Sequence, residues 1–233
     1  RSRDFHHHFT RTRVAEIPFQ HQVQGFLEFP RALGIVVDEP RWDLPISGEA
    51  GAWAAEHIGG DAPVLLISPC SSHELRNWRA EYYAEVADHA VQNMGMQVVL
   101  SGGPSELEMR VGREIEQRMQ AKCLNLVGKD TLEQSKAMLR RADLVISPDS
   151  GPAHMATAAG TPVIGLYATS NPARTGPFVS RRLTVNRYPE AVSKFLGKDV
   201  EALRWGQRVR NPDAMDLIEV DDVTAKIDLV FAS

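Results

Sequence analysis

Cysteine pairs, long apolar runs and an excess of positive charge are all missing from this sequence. Its two cysteines, Cys70 and Cys123, form neither a CxxC pair nor a disulfide framework, so we expect a reducing, cytoplasmic compartment. No apolar stretch approaches the roughly 18 residues of a membrane span, and the N-terminus has no signal-peptide pattern. The formal net charge of −4 disfavours a broadly basic surface for nucleic acid.

The motifs of several nucleotide-binding and hydrolytic enzymes are also absent. No GxGxxG follows the first apolar run and no GxxxxGK[ST] occurs, which disfavours a dinucleotide dehydrogenase and a P-loop enzyme. Pro148 and Pro152 replace the glycines of a GxSxG motif around Ser150, so Ser150 is not a predicted nucleophile. No Asp-x-Asp pair is present to hold a metal on a diphosphate, and the adjacent histidines 6–8 cannot converge on one ion. We therefore expect no metal and no cofactor.

The length of 233 residues suits one large domain, or one domain plus part of another. Because the sequence does not begin with Met and opens in mid-pattern with RSRDFHHHFTRTRV, we expect it to be the interior of a longer chain. HQVQGFLEFPRALGI (21–35) predicts one helix, and the proline-containing stretch 36–48 predicts a connector. We interpret residues 21–60 as an interdomain helix and linker.

From residue 61 onward, short apolar runs alternate with amphipathic stretches. The helical stretches carry start and stop signals, such as Gly95 after the first of them and Thr131 with Gln134 before the third. Strands that are apolar on both faces and alternate with helices indicate a parallel sheet covered on both sides. The sequence therefore predicts an α/β, doubly wound, Rossmann-like domain over residues 61–233, which ends in a C-terminal helix. The predicted strands are 63–69, 97–103, 123–128, 143–149 and 161–168.

Four polar loops follow the first four predicted strands: SPCSSHELRNW, SGGPSE, GKDT and SPDSGPAH. Ligands of such sheets bind beyond the carboxyl ends of the strands. In the fourth loop, Pro152 suits the first turn of a helix, and Ser150 or Gly151 would be its N-cap. The free N–H groups and the helix dipole would then form a phosphate receptor. The alternative is that Asp149 and Ser150 only cap the helix.

Positive charge for a diphosphate has one obvious source in these loops. Arg76 follows Ser71 and Ser72, and its guanidinium can bind a diphosphate bidentately beside their hydroxyls. Glu106, in the first turn of the next helix, can accept hydrogen bonds from ribose hydroxyls. Both residues also have a simpler interpretation, Arg76 as an exposed arginine and Glu106 as a carboxylate that only favours the helix dipole.

Four spaced elements together resemble a known family. S-S-x-x-x-R-x-W (71–78), G-G-P-S-E (102–106), N-L-V-G (125–128) and D-S-G-P-A-H (149–154) are similar to the donor-binding half of the ADP-heptose:lipopolysaccharide heptosyltransferases, glycosyltransferase family 9. The resemblance covers roughly residues 20–233, and the last element is its most specific part. It implies the C-terminal half of a two-domain GT-B enzyme, which moves heptose from ADP-heptose to the inner core of lipopolysaccharide with inversion.

The resemblance also implies roles for individual residues. Asp149, Ser150 and Gly151 would contact the diphosphate and heptose, with His154 nearby unless it is only a core or capping histidine. Ser71, Ser72 and Arg76 would hold phosphate, and Glu106 the ribose. The backbone near Leu126 and Val127 would frame the adenine.

Two departures from the family pattern matter. Relatives commonly carry Lys where this chain has Arg76, which keeps the charge but changes the geometry. They also have an N-terminal domain with the acceptor site and a carboxylate base, of which residues 1–20 would be the remnant. The acceptor, a lipopolysaccharide core or lipid A-linked sugar, and any peripheral contact with the inner membrane would then depend on the missing domain. Two other classes stay open, namely a GT-B transferase or epimerase for another nucleotide sugar and a non-catalytic nucleotide-binding module.

Overall fold

The computed structural model describes residues 8–9, 14 and 17–231. The chain divides into two compact units, which are residues 1–41 and residues 42–233. Most of the predicted remnant at residues 1–20, including His6 and His7, lies outside the described residues.

The described residues of the first unit include the helix α1 (Gln22–Ala32), which lies within the predicted span 21–35. The Nδ1 atom of His21 accepts the Val23 N–H at 3.2 Å and so caps the first turn. No residue of this helix is buried, and Phe26 and Phe29 are among its exposed side chains.

The second unit is built on a six-stranded parallel sheet in the order β3-β2-β1-β4-β5-β6. This order confirms the predicted doubly wound α/β fold, and its topological switch point lies between β1 and β4. The four longest strands are buried along almost their whole length, as their apolar sequences predict. The strands are β1 (Val64–Ile67), β2 (Gln97–Leu100), β3 (Leu124–Asn125), β4 (Leu144–Pro148), β5 (Val163–Tyr167) and β6 (Val185–Asn186).

Helices cover both faces of this sheet. Alternate strand residues point to opposite faces, so that Leu65 and Ile67 belong to one apolar cluster while Leu66 belongs to the other. No helix of the described ranges has both the length and the hydrophobicity of a membrane span. The helices are α2 (Gly48–His57), α3 (Ala80–Met94), α4 (Glu106–Arg118), α5 (Leu132–Arg141), α6 (Gly151–Ala159), α7 (Pro172–Thr175), α8 (Tyr188–Leu196) and α9 (Val220–Phe231).

The second unit begins closer to the N-terminus than the predicted boundary at residue 61. Helix α2 lies inside the stretch that the sequence pattern predicts as a linker, yet it packs on α5. Ala50, Ala54 and Ile58 are each at most 3% exposed and belong to the same apolar cluster as Met138. Small side chains four residues apart let α2 approach α5 closely. Helix α2 is therefore part of the helical layer on one face of the sheet.

Candidate functional site

The loops after β1, β2, β3 and β4 surround a cleft of about 570 Å³, which we call the main cleft. It lies at the carboxyl ends of the strands and includes the switch point between β1 and β4, where such sheets bind ligands. Seven of the ten predicted site residues line it. They are Ser71, Ser72, Arg76, Asp149, Ser150, Gly151 and His154.

Helix α6 points an uncapped N-terminus into the main cleft. Ser150 is the N-cap residue, but its side chain makes no capping hydrogen bond and its Oγ lies 2.7 Å from the Ser147 Oγ. By contrast, Ser47 and Thr131 each accept a backbone N–H at the start of their helices. The alternative in which Asp149 and Ser150 only cap the helix therefore does not fit. The N–H groups of the first turn remain available to an anion.

Arg76 is tied to Asp149 across the switch point. Its Nη1 donates to the Asp149 carbonyl oxygen at 2.8 Å and lies 3.3 Å from Asp149 Oδ2. The same Oδ2 accepts the Ser170 hydroxyl at 2.8 Å. The two side chains are only 11% and 8% exposed, so the interpretation of Arg76 as an exposed surface arginine is wrong. The second terminal nitrogen, Nη2, is buried without a hydrogen-bond partner, and a ligand oxygen would satisfy it.

The two serines of the first loop differ in their surroundings. Ser71 is buried, its N–H donates to Asn77 Oδ1 at 2.7 Å, and its hydroxyl donates to the Asp149 carbonyl at 3.1 Å. The second of these bonds fixes the loop after β1 to the loop after β4. Ser72 is exposed in the cleft. Ser71 therefore builds the site, while the Ser72 hydroxyl is open to a ligand.

Among the described residues that line the main cleft, Arg76 is the single arginine or lysine. Burial lowers the pKa of Arg76, and the positive charge of Arg208 lowers it further, whereas the Asp149 carboxylate raises it. The guanidinium nevertheless keeps its charge at neutral pH. His154 reaches solvent in the cleft, but desolvation by the surrounding protein lowers its pKa, against the pull of Asp149. His154 is thus neutral at pH 7. Cys70 is uncharged as well, because burial raises the pKa of its thiol to about 12. The positive charge of the cleft comes from Arg76 and the α6 dipole.

The structure places Glu108, rather than Glu106, in the main cleft. Glu106 is exposed at the first residue of α4 and does not line the cleft, whereas Glu108 does. The Glu108 carboxylate accepts the Gly103 N–H and the Ser105 hydroxyl. Two residues along a helix turn a side chain by about 200°, so both cannot face the same loop. The geometry favours Glu108 for a ribose contact.

Leu126 and Val127 lie beside the cleft without lining it. Both are buried in the apolar clusters, and their N–H groups donate to Leu100 O at 2.9 Å and to Asn125 Oδ1 at 3.2 Å. Their predicted contact with adenine stays a prediction, and it would have to use other atoms than these N–H groups. The loop instead brings Asp130 and Thr131 into the cleft, and the first turn of α5 adds Leu132 and Ser135.

Asp130 is a cleft residue that the sequence pattern does not single out, although its GKDT loop is predicted to face the site. Burial raises the pKa of its carboxyl to about 6, and hydrogen bonds to its own backbone and to Ser135 only partly oppose this. An unfolded aspartate ionises near pH 3.9. Between about pH 4 and pH 6 the folded chain therefore holds a proton that the unfolded chain has lost, and stability falls as the pH rises through this window.

We expect Asp130→Asn to remove this pH-dependent loss of stability. The Tm of the variant minus the Tm of the unsubstituted chain should increase as the pH rises from 4 to 7, because asparagine does not ionise. Asp61→Asn, at an exposed position, serves as the control for the same chemical change outside the cleft. A constant Tm difference for Asp130→Asn over the same range would contradict the buried, proton-holding carboxyl.

One protein family matches this chain over most of its length. The family model described as glycosyltransferase family 9 (heptosyltransferase) matches residues 1–202. The chain is 37% identical over 227 residues to the lipopolysaccharide core heptosyltransferase OpsX of Haemophilus influenzae, a match that covers 97% of this chain and 65% of that protein.

Two solved structures share the fold. The glycosyl transferase family 9 protein from Veillonella parvula matches with a TM-score of 0.76 at 25% identity, over 95% of this chain and 63% of that one. The ADP-heptose lps heptosyltransferase II of E. coli matches with a TM-score of 0.65 at 20% identity, over 86% and 56% of the two chains. This chain thus spans less than two thirds of the length of each of these relatives.

Proposed function

Because this chain belongs to glycosyltransferase family 9, we propose that it binds ADP-heptose and serves in the transfer of heptose to the core of lipopolysaccharide. The Haemophilus relative, a lipopolysaccharide core heptosyltransferase at 37% identity, supports lipopolysaccharide core as the acceptor. The E. coli protein of similar fold is an ADP-heptose heptosyltransferase, which supports ADP-heptose as the donor.

One observation in the main cleft carries this proposal. The uncapped N-terminus of α6, Arg76 with its orphaned Nη2, and the exposed Ser72 all line the main cleft. Each of these groups donates hydrogen bonds, and together they suit a ligand with several negatively charged oxygens. A diphosphate is such a ligand, and Glu108 nearby suits ribose hydroxyls.

The same groups explain how the site would assist the reaction. When the acceptor hydroxyl attacks the anomeric carbon, the bond from that carbon to the donor phosphate breaks and its electrons remain on the departing ADP. In the proposed binding mode the α6 N–H groups and Arg76 would lie where this negative charge develops, and fixed donors of this kind stabilise a transition state. The neutral His154 would donate or accept a hydrogen bond at the sugar end.

We also propose that the base which deprotonates the acceptor lies outside residues 1–233. Asp149, the carboxylate at the α6 end of the cleft, is already bonded to Arg76 and Ser170, so it is engaged within the site and is not open to an acceptor hydroxyl. Residues 1–233 alone should then bind ADP-heptose and transfer no heptose. The test is a transfer assay with a heptose-free lipopolysaccharide core, with the complete Haemophilus relative as positive control. Robust turnover by residues 1–233 would contradict this division.

Nucleotide preference separates the proposal from the other classes. ADP should raise the Tm of the chain, whereas UDP at the same concentration should not. A shift with UDP alone would favour a transferase or epimerase for another nucleotide sugar. ADP binding without transfer by any longer form of the chain would favour a non-catalytic nucleotide-binding module.

Removing Arg76 should weaken ADP binding much more than adenosine binding. A hydrogen bond to a charged group contributes about 1.5–3 kcal/mol, so Arg76→Ala should lower ADP affinity by roughly one to two orders of magnitude. Arg76→Lys keeps the charge but loses the two-pronged guanidinium geometry, so its ADP affinity should lie between that of the unsubstituted chain and that of Arg76→Ala.

Arg79→Ala is the matched control, because Arg79 is exposed and pairs with Asp216 outside the cleft. Calorimetry with ADP and with adenosine measures the effect, and thermal melting checks the fold of each variant. Equal losses for ADP and adenosine would mean that Arg76 only supports the structure.

A further inference from the structure

A second cleft of about 450 Å³ adjoins the main cleft and shares Arg76 with it. We call it the arginine cleft. Three arginines and a histidine line it, against a single carboxylate, Glu74. Its lining residues are His73, Glu74, Leu75, Arg76, Thr169, Arg208, Val209 and Arg210.

The position of Arg208 and Arg210 follows from the residue between them. Val209 is 1% exposed, and its N–H donates to the Thr169 carbonyl at 3.0 Å. This bond holds the segment beside the chain that leaves β5. Arg208 and Arg210 are both exposed and both line the cleft. The buried valine thus anchors a pair of arginines at the mouth of the cleft.

No acidic side chain of the described residues pairs with either of these two arginines. Within the described ranges, neither side chain forms a salt bridge or a side-chain hydrogen bond, whereas Arg79 pairs with Asp216 and Arg187 with Asp222. Arg208 is near enough to lower the pKa of Arg76. A chain with a formal net charge of −4 therefore gathers unneutralised positive charge at one place, and such a site favours an anion.

The shape and the lining narrow the class of ligand. A volume of about 450 Å³ lies within the usual range for small-molecule sites. Leu75, which is 38% exposed, provides apolar surface beside the arginines, and such a surface suits the carbon face of a sugar ring. Arginine forks bind carboxylates and phosphates bidentately. A saccharide that carries such a group fits both features.

We propose that the arginine cleft binds a carboxylate or phosphate substituent of the acceptor saccharide, next to the donor diphosphate in the main cleft. This inference rests on the proposed function, because a transfer reaction requires donor and acceptor side by side. Arg76 forms a wall of both clefts, so the two anionic groups lie on either side of one guanidinium. The donor phosphates already have their partners at α6 and Ser72, which leaves Arg208 and Arg210 for a second ligand.

The test is an NMR titration of the chain saturated with ADP, with glucuronate, glucose 6-phosphate and glucose as probes. The two anionic sugars should bind and shift the Val209 and Thr169 amides, while glucose should not. The double variant Arg208→Gln, Arg210→Gln should bind the anionic sugars at least tenfold more weakly, with ADP affinity changed less than twofold. Arg204→Gln, at an exposed arginine outside the cleft, is the control and should behave as the unsubstituted chain.

Several results would overturn the proposal. These are displacement of ADP by the anionic sugars, equal binding of glucose, or unchanged sugar binding in the double variant. A preference between glucuronate and glucose 6-phosphate identifies the substituent as carboxylate or phosphate. If ADP itself fails to bind, the proposed function fails, and the same titration without ADP still tests the arginine cleft.

Discussion

Gly151→Val should lower the affinity for ADP by more than about 100-fold, that is by more than ~2.7 kcal/mol, while the chain stays folded. Gly151 is the first residue of α6 and is exposed in the main cleft. A valine side chain there would fill the space in front of the free N–H groups, where a phosphate has to approach within hydrogen-bonding distance. Binding is lost because the ligand is excluded from that space.

The fold should tolerate this change. Outside its two chain neighbours and the nearby backbone of its own helix, a Cβ added at Gly151 meets no atom within 4 Å, and the Gly151 backbone is not in the left-handed region that requires glycine. The helix-propensity cost of valine relative to alanine is below about 1 kcal/mol.

Gly48→Val offers a matched control. Gly48 is the first residue of α2 and follows a serine N-cap, and an added Cβ there likewise meets no atom within 4 Å outside its chain neighbours and the nearby helix backbone. Calorimetry with ADP and thermal melting should show two folded variants, of which only Gly151→Val has lost ADP binding. Near-native ADP affinity in a folded Gly151→Val chain would remove α6 from the proposed site.

The sequence was sufficient to predict the sheet and the edge at which the site lies. The apolar runs of β1, β2, β4 and β5 are buried almost throughout, and runs of this kind alternating with helices leave few alternatives to a parallel sheet. Once the strands were placed, the polar loops that follow them had to meet at one edge. Seven of the ten predicted residues line one cleft for this reason.

Other features depend on contacts that a sequence does not display. The choice between Glu106 and Glu108 rests on the rotation of α4 about its axis, which its packing against the sheet decides. Helix α2 presents alanines rather than large apolar residues to α5, so its hydrophobic pattern is weak. Strand β6, which pairs with β5, has two residues. A strand of this length is too short to form a recognisable apolar run in the sequence. The Arg76–Asp149 pair joins residues 73 positions apart.

That pair leads to a large expected effect on stability. Asp149→Ala should lower the free energy of unfolding by about 3–5 kcal/mol, the usual cost of leaving one partner of a buried ion pair alone. Arg76 would keep its hydrogen bond to the carbonyl of residue 149, but its charge would lose the carboxylate 3.3 Å away. The Ser170 hydroxyl would lose its acceptor as well. Urea unfolding, followed by circular dichroism, measures the difference.

The double variant Arg76→Met, Asp149→Ala separates a broken ion pair from a lost contact. Replacing both partners of a buried pair by uncharged side chains is often close to neutral, so the double variant should be more stable than Asp149→Ala alone. ADP should also stabilise Asp149→Ala by a larger Tm shift than it gives the unsubstituted chain, because the diphosphate then replaces the missing carboxylate beside Arg76 and no longer meets a like charge. If the stability costs of Arg76→Met and Asp149→Ala, each measured alone, simply add up in the double variant, the two residues act independently. If ADP shifts the Tm of Asp149→Ala no more than that of the unsubstituted chain, Asp149 does not compete with the diphosphate for the guanidinium.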